Sequence, residues 1–484
     1  MKTAATTSHM SWNMLFGLCV TSLPRTSWML PLLLVLLALP AAVHAEDFTY
    51  ITNNGGITIT GYTGLGGGVS IPDRINGLPV IGIDDFAFGD CSSLISVTIP
   101  TTTTNIGSRA FDSCTNLLTI TVDSANACYS SEDGVLFNRS RTTLIDCPEG
   151  KAGSYTVPSG VTNIGVLAFS YCVGLANITV GSNVTIIGER AFTHCTSLAN
   201  FTVPNSVTSL GDGMFEYCAS LSNVTMPNSV TTIGSGVFSF CTSLTEISIP
   251  NSVTTIGNGA FARCTSLASV TIPNSVTSLG DIAFTYCTNL TKVTISDSIT
   301  KIGGWLFYNC SSLADITIPD TATSIGPAAF FGCTSLTSIT IPNGLTSIGN
   351  KAFYACTNLA GVYFEGNAPV LGSDAFVLAD NATVYYLPGT TGWGSTLGDR
   401  PTALWTLPNP LILNHGSTFG VSTNGFGFII SWATNIPVVV EACASPSKPS
   451  WSPVATNTLT AGTSYFSDPE WTNHPARFYR IHSP

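Results

Sequence analysis

The chain repeats itself every 23 residues. Cys241 opens the unit C-T-S-L-T-E-I-S-I-P-N-S-V-T-T-I-G-N-G-A-F-A-R, and Cys264 opens the next. Cysteines recur in this register at Cys172, Cys195, Cys218, Cys241, Cys264, Cys287, Cys310, Cys333 and Cys356, and Cys91 and Cys114 show the same step. A leucine column (Leu94, Leu117, Leu175 and on to Leu359) and a phenylalanine column (Phe111, Phe169, Phe192 and on to Phe353) keep the same phase. A single unit is too short to enclose a core, whereas stacked units bury a continuous one.

The residues of one unit define its course. Leu244, Ile247 and Ile249 are spaced as in a strand, so Ile247 and Ile249 point to one side and Ser248 to the other. Pro250 lacks an N–H and ends the pairing, and Asn251 and Ser252 supply turn chemistry. Val253 and Ile256 re-enter the core, Gly257 permits a tight backbone turn, and Ala260 and Phe261 read as a short helical or 3₁₀ segment whose ring plugs the interior. With a strand spacing of ~4.8 Å, eleven or twelve coils would reach roughly 55 Å.

Units of the form L-x-x-I-T-I-P-N-S-V-T-x-I-G-x-x-A-F-x-x-C run from about Gly82 to Phe376, with conservative exchanges. They resemble the bacterial-surface-antigen (BspA-like) leucine-rich repeat family. The resemblance implies a β-rich leucine-rich-repeat solenoid with a parallel strand ladder. It also implies an exported or surface protein; some family members are implicated in adhesion to host proteins or in contacts between cells. The segment Asp133-Gly134-Val135-Leu136-Phe137 resembles an insertion that the family often carries.

The chain is accordingly read as a signal peptide (1–45), an N-terminal β cap (46–81), a solenoid (82–405), a linker (406–418) and a small C-terminal antiparallel β-sandwich (419–484). The apolar run Leu32 to Leu39, followed by Val43-His44-Ala45, has the form of a signal sequence and is short of the roughly 18–20 residues of a spanning helix. After its removal no segment is expected to span a membrane. Within the solenoid an insertion near 123–157 lengthens Cys114 to Cys172 to 58 residues and reads as two strands around the turn Asn138 to Arg141. The Gly-rich stretch Gly61 to Gly68 reads as a hairpin turn, since it lacks the lysine of a phosphate loop. Ala382 to Pro388 reads as the last, capping strand, and runs such as Phe426 to Trp432 and Val438 to Ala442 as strands of the sandwich.

Composition then narrows the function. Charged residues make up 9% of the chain, against about 25% in an average domain. Sixteen Lys and Arg against 27 Asp and Glu exclude a basic nucleic-acid binder. The cysteine column has neither zinc-ligand spacing nor a C-x-x-C, and reads as free, buried, small apolar filler. Cys128 and Cys147 fall outside it, and whether they pair is left open. His194 stands where other units carry Tyr, Phe or Arg, and reads as a surface or packing residue. No hydrolase, zincin or EF-hand motif occurs, and the acids are scattered singly. No catalytic residue, cofactor site or metal ligand is therefore proposed from the sequence, and an enzyme is not expected.

The outward strand positions remain. One column is nearly uniform in Thr, at Thr202, Thr225, Thr271, Thr294, Thr317 and Thr340, and reads first as β-propensity and cross-strand hydroxyl contact. Its neighbour varies: Asn200, Asn223, Glu246, Ser269, Lys292, Asp315 and Ser338. These side chains are not needed for the core, so partner specificity is expected there. The reading is a secreted or cell-surface protein that binds an extracellular or surface protein, mediating protein–protein interaction or adhesion. The alternative is a glycan-binding surface or envelope protein using the hydroxyl-rich face.

Overall fold

The computed structural model describes residues 45–405 and, beyond them, 411–413, 420–422, 425–432, 437–445, 450–459, 463–474 and 476–482. Residues 1–44, the body of the segment read as a signal peptide, lie outside the described residues.

Each repeat forms one coil, and neighbouring coils are joined along three lines. The first is the predicted parallel ladder. Asn200 pairs with Asn223, Ser269 with Lys292 and Lys292 with Asp315, each one repeat further along. Strand alternation buries Phe201, Val224, Val270, Val293 and Ile316 and turns their neighbours outward. The second line is a ladder of two-residue strands, Ser209–Leu210, Thr232–Ile233, Thr255–Ile256 and Ser278–Leu279. The third runs through turns, where the Phe238 N–H donates to the Ala260 carbonyl and the Phe240 N–H to the Ala262 carbonyl, both at 2.8 Å.

The local motif owes its residues to these lines. In P-N-S-V-T, the Val253 N–H closes a turn on the Pro250 carbonyl. The Ser252 hydroxyl donates to Val230 O at 2.6 Å and the Thr254 hydroxyl to Thr231 O at 3.3 Å, both on the preceding coil. Gly257 serves a different purpose from the one expected. A Cβ there would lie 2.5 Å from Ser235 N, so the residue is glycine because the neighbouring coil leaves no room. The helical or 3₁₀ segment expected at Ala260–Phe261 is instead a set of isolated turns. Gly259 (φ 60°) and Arg263 (φ 61°) are left-handed and bracket it, so no helix propagates. Among the described residues, 3₁₀ helices are confined to Ala45–Asp47 and Trp471–Asn473.

Inside the coils, ten phenylalanine rings from Phe169 to Phe376 stack in one file, with successive centroids 5.2 to 5.7 Å apart. The cysteine column lies beside it, and all the column thiols are free. From Cys195 to Cys356 each donates from Sγ to the carbonyl of the preceding coil's phenylalanine at 3.0 to 3.2 Å. A small apolar side chain with one weak donor fits this position, and cysteine supplies both properties. Cys128 and Cys147 are also free thiols.

The insertion divides this interior. Val135–Asn138 forms a hairpin with Thr143–Asp146 and also pairs with Tyr129–Glu132. Thr143–Asp146 then joins the two-residue ladder through Asn163–Ile164. Leu136 packs into the N-terminal core with Phe88 and Phe111. Val135 and Phe137 pack into the C-terminal core with Phe169 and its successors. One strand thus forms a wall that is apolar on both faces.

At the N-terminus the hairpin is formed by Phe48–Asn53 and Gly56–Tyr62. The glycine stretch is no hairpin turn: Gly67–Ser70 is the first strand of the outward ladder, parallel to Leu94–Ile99. At the other end Thr383–Tyr386 is not last, because Arg400–Leu404 adds one more parallel strand. The C-terminal part forms two antiparallel sheets around Phe428, Ile430, Val438, Val440, Leu459 and Phe466. Leu411–Leu413, inside the segment read as a linker, pairs with Gly425–Ser431.

Candidate functional site

The seven variable-column residues Asn200, Asn223, Glu246, Ser269, Lys292, Asp315 and Ser338 are all solvent-exposed on the outward ladder. They do not form one even row, because the ladder is interrupted at two coils. Thr245 to Ile249 form no strand, and among the described residues the N–H groups of Glu246, Ile247, Ser248 and Ile249 donate to no backbone carbonyl. A second gap separates Asp315–Thr317 from Ser338–Ile341, which lie in different sheets.

A groove opens at each interruption. The first, of about 730 Å³, brings together Asn223, Glu246 and Ser269 with Thr225, Ser248 and Thr271. The second, of about 260 Å³, holds Asp315 and Ser338 with Asp320 and Glu365. Burial, and then the Asp320 charge, raise the Glu365 carboxyl above its ordinary range. Asn200 and Lys292 line neither groove. Lys292 Nζ lies 2.7 Å from Asp315 Oδ2 on the next coil. Both side chains are well exposed, so the pair contributes little to stability, yet it cancels two of the three charges in the column. Glu246 forms no ion pair among the described residues and is the uncompensated charge of the first groove.

The column that holds His194, read from the sequence as a surface or packing position, forms a second stripe whose stacking was not foreseen. The residues just before the cysteines stack along the outside of the turns: Tyr171 on His194 at 4.2 Å, His194 on Tyr217 at 4.4 Å, and Tyr217 on Phe240 at 4.3 Å. Arg263 takes the place of a ring, its guanidinium 5.1 Å from Phe240 and 4.3 Å from Tyr286. The column was visible as Tyr, Phe, His and Arg at one phase; its unifying property is planarity. Successive ring faces cover each other from Tyr171 to Phe240, and we read the stripe as a brace for the turns.

His194 makes this brace sensitive to pH. Burial between two rings lowers its pKa, and Glu216 only partly opposes this. The unfolded chain therefore takes up the proton more readily than the folded one. The stability carried by the neutral ring is full above the ordinary histidine pKa of about 6.5 and falls as the pH drops below it. His194→Phe is expected to remove this part of the acid sensitivity. The check is the difference in denaturation midpoint between wild type and variant at about pH 7.5 and 5.5; an unchanged difference would contradict it.

Residues 70–151, 149–268 and 254–383 match a profile described as BspA type leucine rich repeat region, in 6 copies. No curated protein matches the chain. Among solved structures it is similar to a leucine rich cell surface protein from Faecalibacterium prausnitzii, at 32% identity over 68% of this chain and 96% of that one (TM-score 0.41). It is also similar to a leucine-rich repeat protein from Bacteroides ovatus, at 26% identity over 71% and 94% (TM-score 0.46). A leucine rich repeat protein of T. pallidum shares 31% identity over 46% and 90% (TM-score 0.28).

Proposed function

The chain belongs to the BspA-type leucine-rich repeat family, and from that premise we propose that it is an exported or cell-surface scaffold whose outward strand face binds another protein. The observation that carries this reading is the groove at Asn223, Glu246 and Ser269. Its polar side chains are exposed on a uniform frame and are not used by the core. Export rests on the apolar run before Glu46, and surface display on the family itself. No described helix is long and apolar enough to cross a membrane. Adhesion is one use of such a surface, with protein contact as the step common to every version.

A partner that presents a basic side chain to Glu246 and hydrogen-bonding groups to Asn223 and Ser269 fits the groove. Placing like charges against each other at an interface costs several kcal/mol. Glu246→Arg is therefore expected to weaken capture of the partner by roughly tenfold or more. The test immobilises the mature wild-type chain and the variant side by side and compares the surface proteins each retains, with a panel of polysaccharides run in parallel. Equal protein capture by the two would remove the groove from the reading. Retention of a polysaccharide, and of no protein, would favour the hydroxyl column Thr225, Ser248 and Thr271 as a glycan face.

A further inference from the structure

A cavity of about 170 Å³ lies where the insertion meets the coils. Its wall includes Arg109 and Asp112 from one coil, Asp146 and Glu149 from the insertion, and Ser170 from the next coil. Three carboxyl groups therefore face it with a single guanidinium. That guanidinium is already committed, since Arg109 Nε and Nη2 hold the two oxygens of Asp112 at 2.9 and 3.1 Å. Among the described residues neither Asp146 nor Glu149 forms an ion pair of its own, and the Arg109 charge reaches Glu149 only as a minor influence.

Two buried oxygens at this wall lack any hydrogen-bond partner. Glu149, 7% exposed, receives the Ser113 N–H on Oε1 at 2.8 Å, but its Oε2 has no partner. Ser170, 8% exposed, has an unpartnered Oγ. Native proteins leave few such atoms, and each calls for a cause.

We propose that this cavity binds one divalent cation with a preference for oxygen ligands, Ca²⁺ in the first instance, through Glu149 Oε2, the Asp146 carboxylate and Ser170 Oγ, with water completing its shell. Among the described residues no three acidic, histidine or cysteine side chains converge tightly enough to hold an ion by themselves. The site thus relies on two carboxylates, a neutral oxygen and several waters, and at about 30 Å³ per water the cavity has room for them. Ca²⁺ accepts six to eight oxygens in flexible geometry, whereas Mg²⁺ demands a near-ideal octahedron. The ion would tie the insertion to the coil after it, at the point where the 23-residue register is broken.

The test is equilibrium dialysis of Ca²⁺ against the chelator-stripped mature chain, beside Glu149→Gln and Asp146→Asn, which remove charge while keeping shape. The wild type is expected to bind one equivalent more than either variant, and about 1 mM Ca²⁺ is expected to raise its unfolding midpoint by about 3 °C while leaving the variants unmoved. Ser170→Ala keeps both charges and is expected to weaken binding severalfold. It serves as the comparison if a charge variant fails to fold. Equal Ca²⁺ uptake by wild type and the folded variants would overturn the proposal, as would a wild-type midpoint indifferent to Ca²⁺.

Discussion

Phe261→Ala is expected to destabilise the array by about 3–5 kcal/mol, the usual cost of removing a buried phenylalanine ring. Phe261 is fully buried, with the rings of Phe238 and Phe284 stacked 5.4 and 5.3 Å away. In a solenoid each coil contacts only its neighbours, so the loss falls on two interfaces and is not shared by the whole chain. The coils on either side should then unfold at separate denaturant concentrations. Guanidinium titration followed by circular dichroism checks this. A midpoint equal to that of wild type would mean that the ring file does not carry the core. Phe261→Leu keeps apolar volume in the same place and should cost less.

The second large effect concerns the thiols. Burial pushes Cys218, Cys287 and Cys356 up to about 12. Against a model-peptide thiol at about 8.5, that leaves roughly a thousandfold fewer thiolates at pH 8, and the thiolate is the reactive form. Physical occlusion adds to this, because these side chains are fully covered. Of the described cysteines, Cys91 and Cys128 are part-exposed, and the others are buried. Rapid alkylation of the native mature chain is thus expected at those two, with the column reacting only as coils unfold. Mass spectrometry of the labelled peptides reads this directly. Fast labelling of Cys241 or Cys264 in native protein would contradict the burial of the column.

These two predictions rest on what the sequence made legible. Cysteine, leucine and phenylalanine recur at one phase, and periodicity alone assigns Leu244, Phe261 and Cys264 to the interior, where the structure has them. The outward direction of Glu246 and Lys292 followed from strand alternation in the same way. The gaps in the ladder did not follow. The unit from Cys241 to Arg263 has the same L-x-x-I-x-I-P pattern as its neighbours, so nothing local distinguishes Thr245 to Ile249. Their lost pairing is a property of how adjacent coils sit. The clustering of Asp112, Asp146 and Glu149 was hidden for another reason. Asp112 lies more than thirty residues from the other two along the chain, and only the folding of the insertion brings them to one cavity. The brace of planar side chains was obscured because Arg263 belongs to it by shape, whereas sequence patterns sort residues by polarity.

The wall made by Val135–Asn138 has a consequence for how such a molecule can change its reach. Beyond it, from Cys172 to Cys356, each coil meets near-copies of itself, so a whole 23-residue unit could be added or deleted there. The span would change by ~4.8 Å per unit, and neither terminus would need a new partner. On the other side only the coils at Cys91 and Cys114 keep the register, and they are closed in between the N-terminal hairpin and Leu136. The protein can therefore telescope from one side of a fixed bulkhead.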